Sequence, residues 1–572
     1  MKKFFIAIIA ILLCFTGVSA NRADGKIKIN IVLKSQPNAM ELSRISNAFP
    51  TKVERRLFVV NTLKRQAEES QKDLLNYLNE LEINGMVEEI RPLWIVNSVS
   101  CYAEESVMDE ISQRDDVLAV YHVKELQLPD NECVAIHTER GGGREIAENV
   151  TMVNAHLVWE LGYTGEDVLV AIIDTGVRLD HADLQGRFWD GGAEYPNHGY
   201  DFASHDNDPS DENGHGTHVA GTICGTGASG TQTGVAPDAK LMVLKVFNSG
   251  SQSDETVLVE AMQFAVEHGA DMMNMSLGWP YADPPVKRLF RQACENTLAA
   301  GIVAAAAAGN VRDLQSIVPI PHNIYSPGDC PPPYLHDDQL VNAGGTSCVI
   351  SVGAVDFNDE IAYFSSVGPS TWTDVALYND YPYTPGSSTE IGLIRPDVCA
   401  PGVNVKSLDF HSDTGYTLMD GTSMATPCVA GTIALMLSKN PELTPAQIDE
   451  ILERTAVETV RRPSPTRNHK NNDFGSGRID ALAAVNAVGN DEIDEVFDDG
   501  FAVYPNPTNG ILFLGANTRG AFQQWEIINI QGETVASGKI ISDNHQIDIS
   551  NLPSGMYLIK IDDKSQKIVV VR

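Results

Sequence analysis

The sequence predicts an α/β protein built on a doubly wound parallel sheet, preceded by a small α+β unit and followed by a small all-β one. Three observations predict this. Residues 151–489 carry continuous apolar runs separated by helix-patterned stretches. A strand exposed to water on one face alternates polar and apolar residues. An uninterrupted run means both faces are covered, as in a parallel sheet between helix layers. Residues 21–150 read as strand, helix, two strands, helix and strand. Residues 501–572 switch to short strands punctuated by turn signals such as Asn509-Gly510 and Pro553-Ser554-Gly555.

The elements follow in chain order. Residues 1–20 are read as targeting rather than fold. Lys2 and Lys3 precede an apolar run from Phe4 to Phe15, and Val18-Ser19-Ala20 supplies small residues for cleavage. The run is too short to cross a bilayer, which takes about 20 residues. No later stretch is long and apolar enough, so the expectation is an exported protein without a transmembrane segment. Lys26 to Ile31 alternates at period two and reads as a strand. Val53 to Leu81 reads as an amphipathic helix, with Leu74, Leu75, Leu78 and Leu81 on one face. Strands are expected at Val87–Ile90 and Leu93–Tyr102, a helix at Glu105–Gln113 and a strand at Val117–Val123. This βαββαβ order is that of the ferredoxin-like arrangement. Asp130 to Asn149, with Gly141-Gly142-Gly143, reads as an exposed, cleavable connection.

In 151–489 the buried strands are expected at Val168–Ile173, Leu241–Phe247, Met272–Leu277, Ile302–Ala308 and Val349–Val355. The region holds 42 acidic and 17 basic residues, −25 of a total formal charge of −35. A chain so acidic repels phosphate backbones, which argues against nucleic acid as a partner. It suits solubility and hard cations such as calcium. Residues 490–500 form an acidic linker with almost nothing to bury. Eight cysteines remain beyond Cys14, an even number compatible with disulfides in an exported protein. No CxxC pair exists to suggest a zinc ribbon.

Chemistry concentrates in three segments: Ile172-Ile173-Asp174-Thr175-Gly176, Asn213-Gly214-His215-Gly216-Thr217-His218, and Asp420-Gly421-Thr422-Ser423-Met424-Ala425-Thr426-Pro427. They supply an Asp, a His and a Ser in that order. A serine hydroxyl is a weak nucleophile until an imidazole takes its proton. A carboxylate must then hold the imidazole in the correct tautomer. Asp174 ends an apolar run, at the carboxyl end of a parallel strand, where open α/β sheets build their sites. His218 follows His215 by three residues, but no HExxH accompanies it to suggest a metalloprotease. The esterase elbow Gly-x-Ser-x-Gly is not matched by Gly421-Thr422-Ser423-Met424-Ala425.

These segments resemble the subtilisin-like serine peptidases, or subtilases, over most of 150–489. Asn274-Met275-Ser276-Leu277-Gly278 and Ala306-Ala307-Ala308-Gly309-Asn310 extend the likeness. The resemblance implies Asp174 as orienting acid, His215 as general base and acid, Ser423 as nucleophile and Asn310 as oxyanion donor beside the Ser423 N–H. It implies that Ser276, Leu277, Gly278 and Ala307, Ala308, Gly309 flank the specificity pocket. The proline-rich stretch between Asn310 and Val349 borders that pocket, so its preference is not inherited from the family. The resemblance makes 21–150 an inhibitory propeptide that folds its own enzyme, and so a partner alongside peptide substrates. No cofactor is needed for chemistry. A structural calcium is implied at Asp183, Asp201, Asp206, Asp208 and Asp211, against the alternative of a solvated acidic loop. Cys330 and Cys348 are expected to pair, with Cys224 and Cys428 as buried thiols.

Residues 501–572 resemble the sorting domains of the type IX secretion route. The likeness rests on Phe501-Ala502-Val503-Tyr504-Pro505-Asn506-Pro507, Asp548 to Tyr557 and Lys567 to Arg572. It implies transit across an outer membrane to the surface or medium, with the secretion machinery as partner. The competing reading from another class is a catalytically silent surface adhesin or binding protein on the same scaffold.

Overall fold

The computed structural model describes residues 25–127, 145–331, 349–458 and 470–489, apart from 47, 48, 50, 281, 376, 377, 388 and 389. It also describes the strands and some turns of 501–570. Residues 1–20, Cys133, Cys348 and the linker 490–500 lie outside the described residues. The chain divides into two units, 1–488 and 489–572.

The first unit opens with β1 (Ile27–Leu33), the short helix α1 (Ala39–Ser46) and the long helix α2 (Lys52–Ile83). Thr51 and Glu54 form a reciprocal capping box at the start of α2, which settles two otherwise unpaired N–H groups. Then come β2 (Val87–Leu93), β3 (Ser98–Ala103), α3 (Glu105–Ser112) and β4 (Val117–His122). The four strands form an antiparallel sheet in the order β2-β3-β1-β4, the expected ferredoxin-like arrangement. Its own core joins Ile29, Ile31, Leu74, Leu78, Val99 and Ile111.

This small sheet is docked on the larger layer that follows. Val59, Leu63, Leu93, Ile95 and Val96 belong to one apolar cluster with Val259, Met262, Phe290 and Ala293. A three-residue strand β5 (Glu125–Gln127) leaves the sheet and pairs antiparallel with Gln252–Asp254.

The large sheet has seven parallel strands. In chain order they are β6 (Leu169–Asp174), β7 (Gly199–Asp201), β8 (Lys240–Lys245), β10 (Met272–Met275), β11 (Val303–Ala307), β12 (Ile350–Val355) and β13 (Val398–Pro401), with β9 being the partner of β5, Gln252–Asp254. Across the sheet the order is β13-β12-β11-β10-β6-β8-β7. The expected strands are all present with bounds moved by one or two residues: β6 runs one residue further to Asp174, β8 begins one earlier at Lys240, and β10, β11 and β12 are shortened. Two others are too short to show a run: β7 is a three-residue edge strand beginning at Gly199, and β13 is four residues closed by Pro401. The chain leaves β6 toward one edge, returns, and crosses to the other at β10. Asp174 therefore ends a central strand beside the switch point, where helix N-termini converge.

The helices that matter to the site are α4 (His215–Cys224) and α7 (Thr422–Lys439), which pack together on one face. Helices α5 (Glu255–Glu267) and α6 (Pro284–Ala299) cover the other, under the N-terminal sheet.

Cys330 is a free, buried thiol beside Cys294. Its expected partner, Cys348, lies outside the described residues. Cys224 and Cys428 are buried thiols as expected, each directed at a carbonyl of its own helix and pushed up to about 12 by burial.

In the second unit, strands Phe501–Tyr504, Ile511–Ala516 and Asn544–Asp548 form one antiparallel sheet. Thr534–Lys539, Gln524–Asn529, Gly555–Ile561 and Lys564–Val570 form another. Leu512 and Ile547 from the first pack with Ile527, Ile559 and Ile568 from the second, making a sandwich.

Candidate active site

Asp174 is placed by strand β6 and His215 by the first residue of helix α4. Two glycines let them meet. Gly214 sits in the left-handed region at φ 101°, turning the chain into the helix. A Cβ on Gly216 would lie 2.0 Å from the Gly176 carbonyl, so only glycine admits so close an approach of α4 to the loop after β6. The result is a hydrogen bond of 2.7 Å between His215 Nδ1 and Asp174 Oδ1, with both side chains buried. Burial works against the His215 cation, but the charge and hydrogen bond of Asp174 outweigh it, aided by the charge of Asp211. The imidazole pKa is raised above its ordinary value.

Asp211 proves to be the joint of this arrangement. Its Oδ1 accepts from Thr175 Oγ1 at 2.9 Å and from the N–H groups of Asn213 and Gly214. Its Oδ2 accepts from the N–H and hydroxyl of Thr217. It thus ties the loop carrying Asp174 to the turn carrying His215. Position along the chain groups it with the acidic loop; only its buried placement reveals the role.

Ser423 stands in the first turn of α7, where N–H groups have no partner within the helix. Pro427 lies four residues on and has no N–H to offer the Ser423 carbonyl. The hydroxyl of Ser276 donates to that carbonyl instead, at 2.9 Å. Ser276, in a segment expected to flank the specificity pocket, has its side chain buried and turned to the Ser423 backbone. The His215 ring and the Ser423 hydroxyl are not hydrogen-bonded to each other here. Such contacts commonly tighten only once substrate is bound.

Asn310 follows β11. Its side-chain oxygen accepts from Thr422 N at 2.9 Å and Thr422 Oγ1 at 3.0 Å. That fixes the amide orientation, because a backbone N–H demands an acceptor. The NH2 end makes no hydrogen bond among the described residues, nor does the Ser423 N–H. Two donors stand uncommitted around Ser423.

The segments 276–278 and 307–309 continue β10 and β11 past their last pairing, Met275 opposite Ala306. Leu277, Ala307 and Ala308 are buried, leaving backbone edges as their polar surface. His218 is buried, held neutral by burial with its pKa down to about 3, and Nε2 contacts the Val405 carbonyl at 3.0 Å.

The five acids expected to hold calcium are not brought together. Asp183 accepts from Ser229 N and Tyr416 Oη. Asp201 accepts from Ala203 N and Ser204 N and pairs with Lys245. Asp206 and Asp208 each cap an N–H two residues on, and Asp211 serves the turn that carries His215. Among the described residues no three metal-ligating side chains converge. The loop carboxylates are instead satisfied by Asx turns and the Lys245 pair.

The subtilase family model matches residues 165–477. The chain belongs to the subtilase family. Bacillopeptidase F of Bacillus subtilis (strain 168) is 31% identical over 469 residues, 78% of this chain; the chain spans 30% of that protein. Subtilisin DY of Bacillus licheniformis is 36% identical over 308 residues, 54% of this chain and 90% of the relative. Subtilisin E of Bacillus subtilis (strain 168) is 32% identical over 321 residues, 56% of this chain and 68% of the relative. The subtilase is a subtilisin-like serine endopeptidase, a hydrolase. Residues 502–571 match the secretion system C-terminal sorting domain, which places the subtilase on the type IX route to the cell surface or beyond. Among the described residues no helix is long and apolar enough to cross a membrane.

Proposed function

We propose that this subtilase is made as a self-processing zymogen and hydrolyses peptide bonds through an acyl-enzyme at Ser423. The observation that carries the reading is the buried Asp174–His215 pair together with a helix whose first turn carries Ser423 and an asparagine whose amide is locked with its NH2 uncommitted. His215 Nε2 takes the hydroxyl proton as Ser423 Oγ attacks the carbonyl carbon. Asp174 holds the opposite ring nitrogen and stabilises the imidazolium. Negative charge gathers on the former carbonyl oxygen, which Asn310 Nδ2 and Ser423 N receive. His215 then returns the proton to the leaving amine, the C–N bond breaks, and water repeats the sequence to release the acid.

The N-terminal unit supports the zymogen reading. It shares an apolar core with α5 and α6, and β5 adds as a strand to Gln252–Asp254. That is how an extended peptide adds to a sheet edge, here with the prosegment's own tail as occupant. Residues 1–20 serve export in this reading, and the connection after 127 is cut during maturation.

Ser423→Ala tests the proposal. The variant should hydrolyse no peptide, take no fluorophosphonate label and accumulate as an unprocessed precursor. An active Ser423→Ala protein removes the assignment. A wild-type protein that neither labels nor cleaves returns the chain to a silent surface-binding role.

A further inference from the structure

The gap between the two strand extensions is occupied by a segment that the strand pattern does not foresee. Beyond Met275 and Ala306, β10 and β11 no longer pair with each other. Trp279 instead exchanges hydrogen bonds with Ser326, at 2.7 Å and 3.1 Å, and Tyr325 N donates to the Ala308 carbonyl at 2.9 Å. Residues 325–326 therefore lie across the slot and bind both of its walls. The Tyr325 side chain sits between them. A Cβ on Gly309 would lie 2.5 Å from Tyr325 Cδ1 and 2.8 Å from Cε1. One on Gly278 would lie 2.8 Å from Tyr325 Cβ and 3.4 Å from Cδ2. Opposite edges of one ring thus rest on the bare backbones of the two walls. Glycine at both places is what makes room for the ring.

We infer that Tyr325 fills the floor of the pocket between 276–278 and 307–309, restricting the subtilase to cleavage after small residues such as alanine, glycine and serine. The inference rests on the proposed catalytic reading, which makes these segments the walls around the side chain preceding the scissile bond. A large aromatic side chain entering the slot meets a ring already wedged between the walls. Removing the ring leaves a cavity lined by Gly278, Gly309 and Ser366 that such a side chain can enter.

The experiment measures kcat/KM on matched peptides differing only in Ala or Phe before the cleaved bond, with fluorophosphonate labelling of Ser423 in parallel. Wild type should favour Ala over Phe by about tenfold or more, the scale on which pocket volume discriminates. Tyr325→Gly should raise cleavage after Phe by about tenfold or more. Tyr325→Phe should keep the wild-type profile, because the ring's volume matters and not its hydroxyl. Wild type cutting after Phe as fast as after Ala overturns the inference, as does a Tyr325→Gly protein that labels without gaining the Phe substrate. Should Tyr325→Gly fail to label, Tyr325→Ala is read by the same criterion, and the wild-type ratio stands as a separate decision. Absence of labelling and cleavage in wild type strikes the catalytic proposal itself.

Discussion

Pro427 and Ser276 show how much of the proposed machinery lies in backbone satisfaction rather than in the reacting groups. A proline inside a helix leaves a carbonyl without its partner, here the carbonyl of Ser423. The Ser276 hydroxyl repairs the defect and ties the Ser423 backbone to the neighbouring strand extension. Ser276→Ala should leave a partly buried acceptor unpaired, at about 1 kcal/mol of stability. The expected outcome is a lowered Tm with the Ser423 label retained; an unchanged Tm would mean that water replaces the hydroxyl without loss. Asn310 is the complementary case, with its oxygen committed to Thr422 and its NH2 left over. Asn310→Ala should lower kcat by about a hundredfold or more with KM little changed, because the bond forms mainly in the transition state. A loss confined to KM would place Asn310 in substrate binding instead.

At the scale of elements, the docked N-terminal sheet is held by a layer of buried charge as well as by apolar area. Lys28 pairs with Asp254 at 2.6 Å, and Lys52 with Asp271 at 2.7 Å. Glu255 is fully buried, with Lys124 N donating to it, and its pKa is pushed up to about 8 by burial and then by the Asp254 charge. Glu260 is pushed up to about 7 by burial, against the attraction of Arg91 and Lys28. A carboxyl raised in the docked state contributes fully below its ordinary value near 4.5, and that contribution is lost as pH rises through 7 to 8. Asp254 runs the other way, since its pKa is lowered; burial opposes ionisation, but the Lys28 charge and hydrogen bond prevail. Its contribution is therefore present across the same window. As the proposed prosegment, the N-terminal unit should thus inhibit more tightly at pH 6 than at pH 9, by about tenfold or more, because a carboxyl that binds its proton ten times more tightly when docked changes the docking equilibrium by the same factor. An inhibition constant that is flat or tightens with rising pH would contradict this.

Over the whole molecule, catalysis and delivery fall in separate units, 1–488 and 489–572. Every group of the proposed mechanism lies in the first. A chain ending at residue 489 should keep its peptidase activity yet accumulate in the periplasm of a type IX-competent host. Residues 491–572 fused to a signal-bearing reporter should carry it to the surface or medium. Normal export of the shortened chain, with the fusion retained, would instead make the tail a binding module. The six carboxylates between Asp491 and Asp499 suit the separation, because like charges in series resist collapse.

The parallel sheet and the flanking units were legible along the chain, as was the Asp-His-Ser order on which the proposed mechanism rests. The apolar runs, glycine turns and βαββαβ order are local signals, read within a few residues of one another. The sequence could not place β7 or β13, whose three or four residues lack a run to detect. It grouped Asp211 with its acidic neighbours because proximity along the chain is all a sequence offers. The fold instead turned that carboxylate inward, onto Thr175 and Thr217. The partnership of Ser276 with Ser423 spans 147 residues, and the seating of Tyr325 between Gly278 and Gly309 joins three separate segments. The folded backbone decides these contacts, because burial makes each polar group or ring take whatever partner the packing brings within reach.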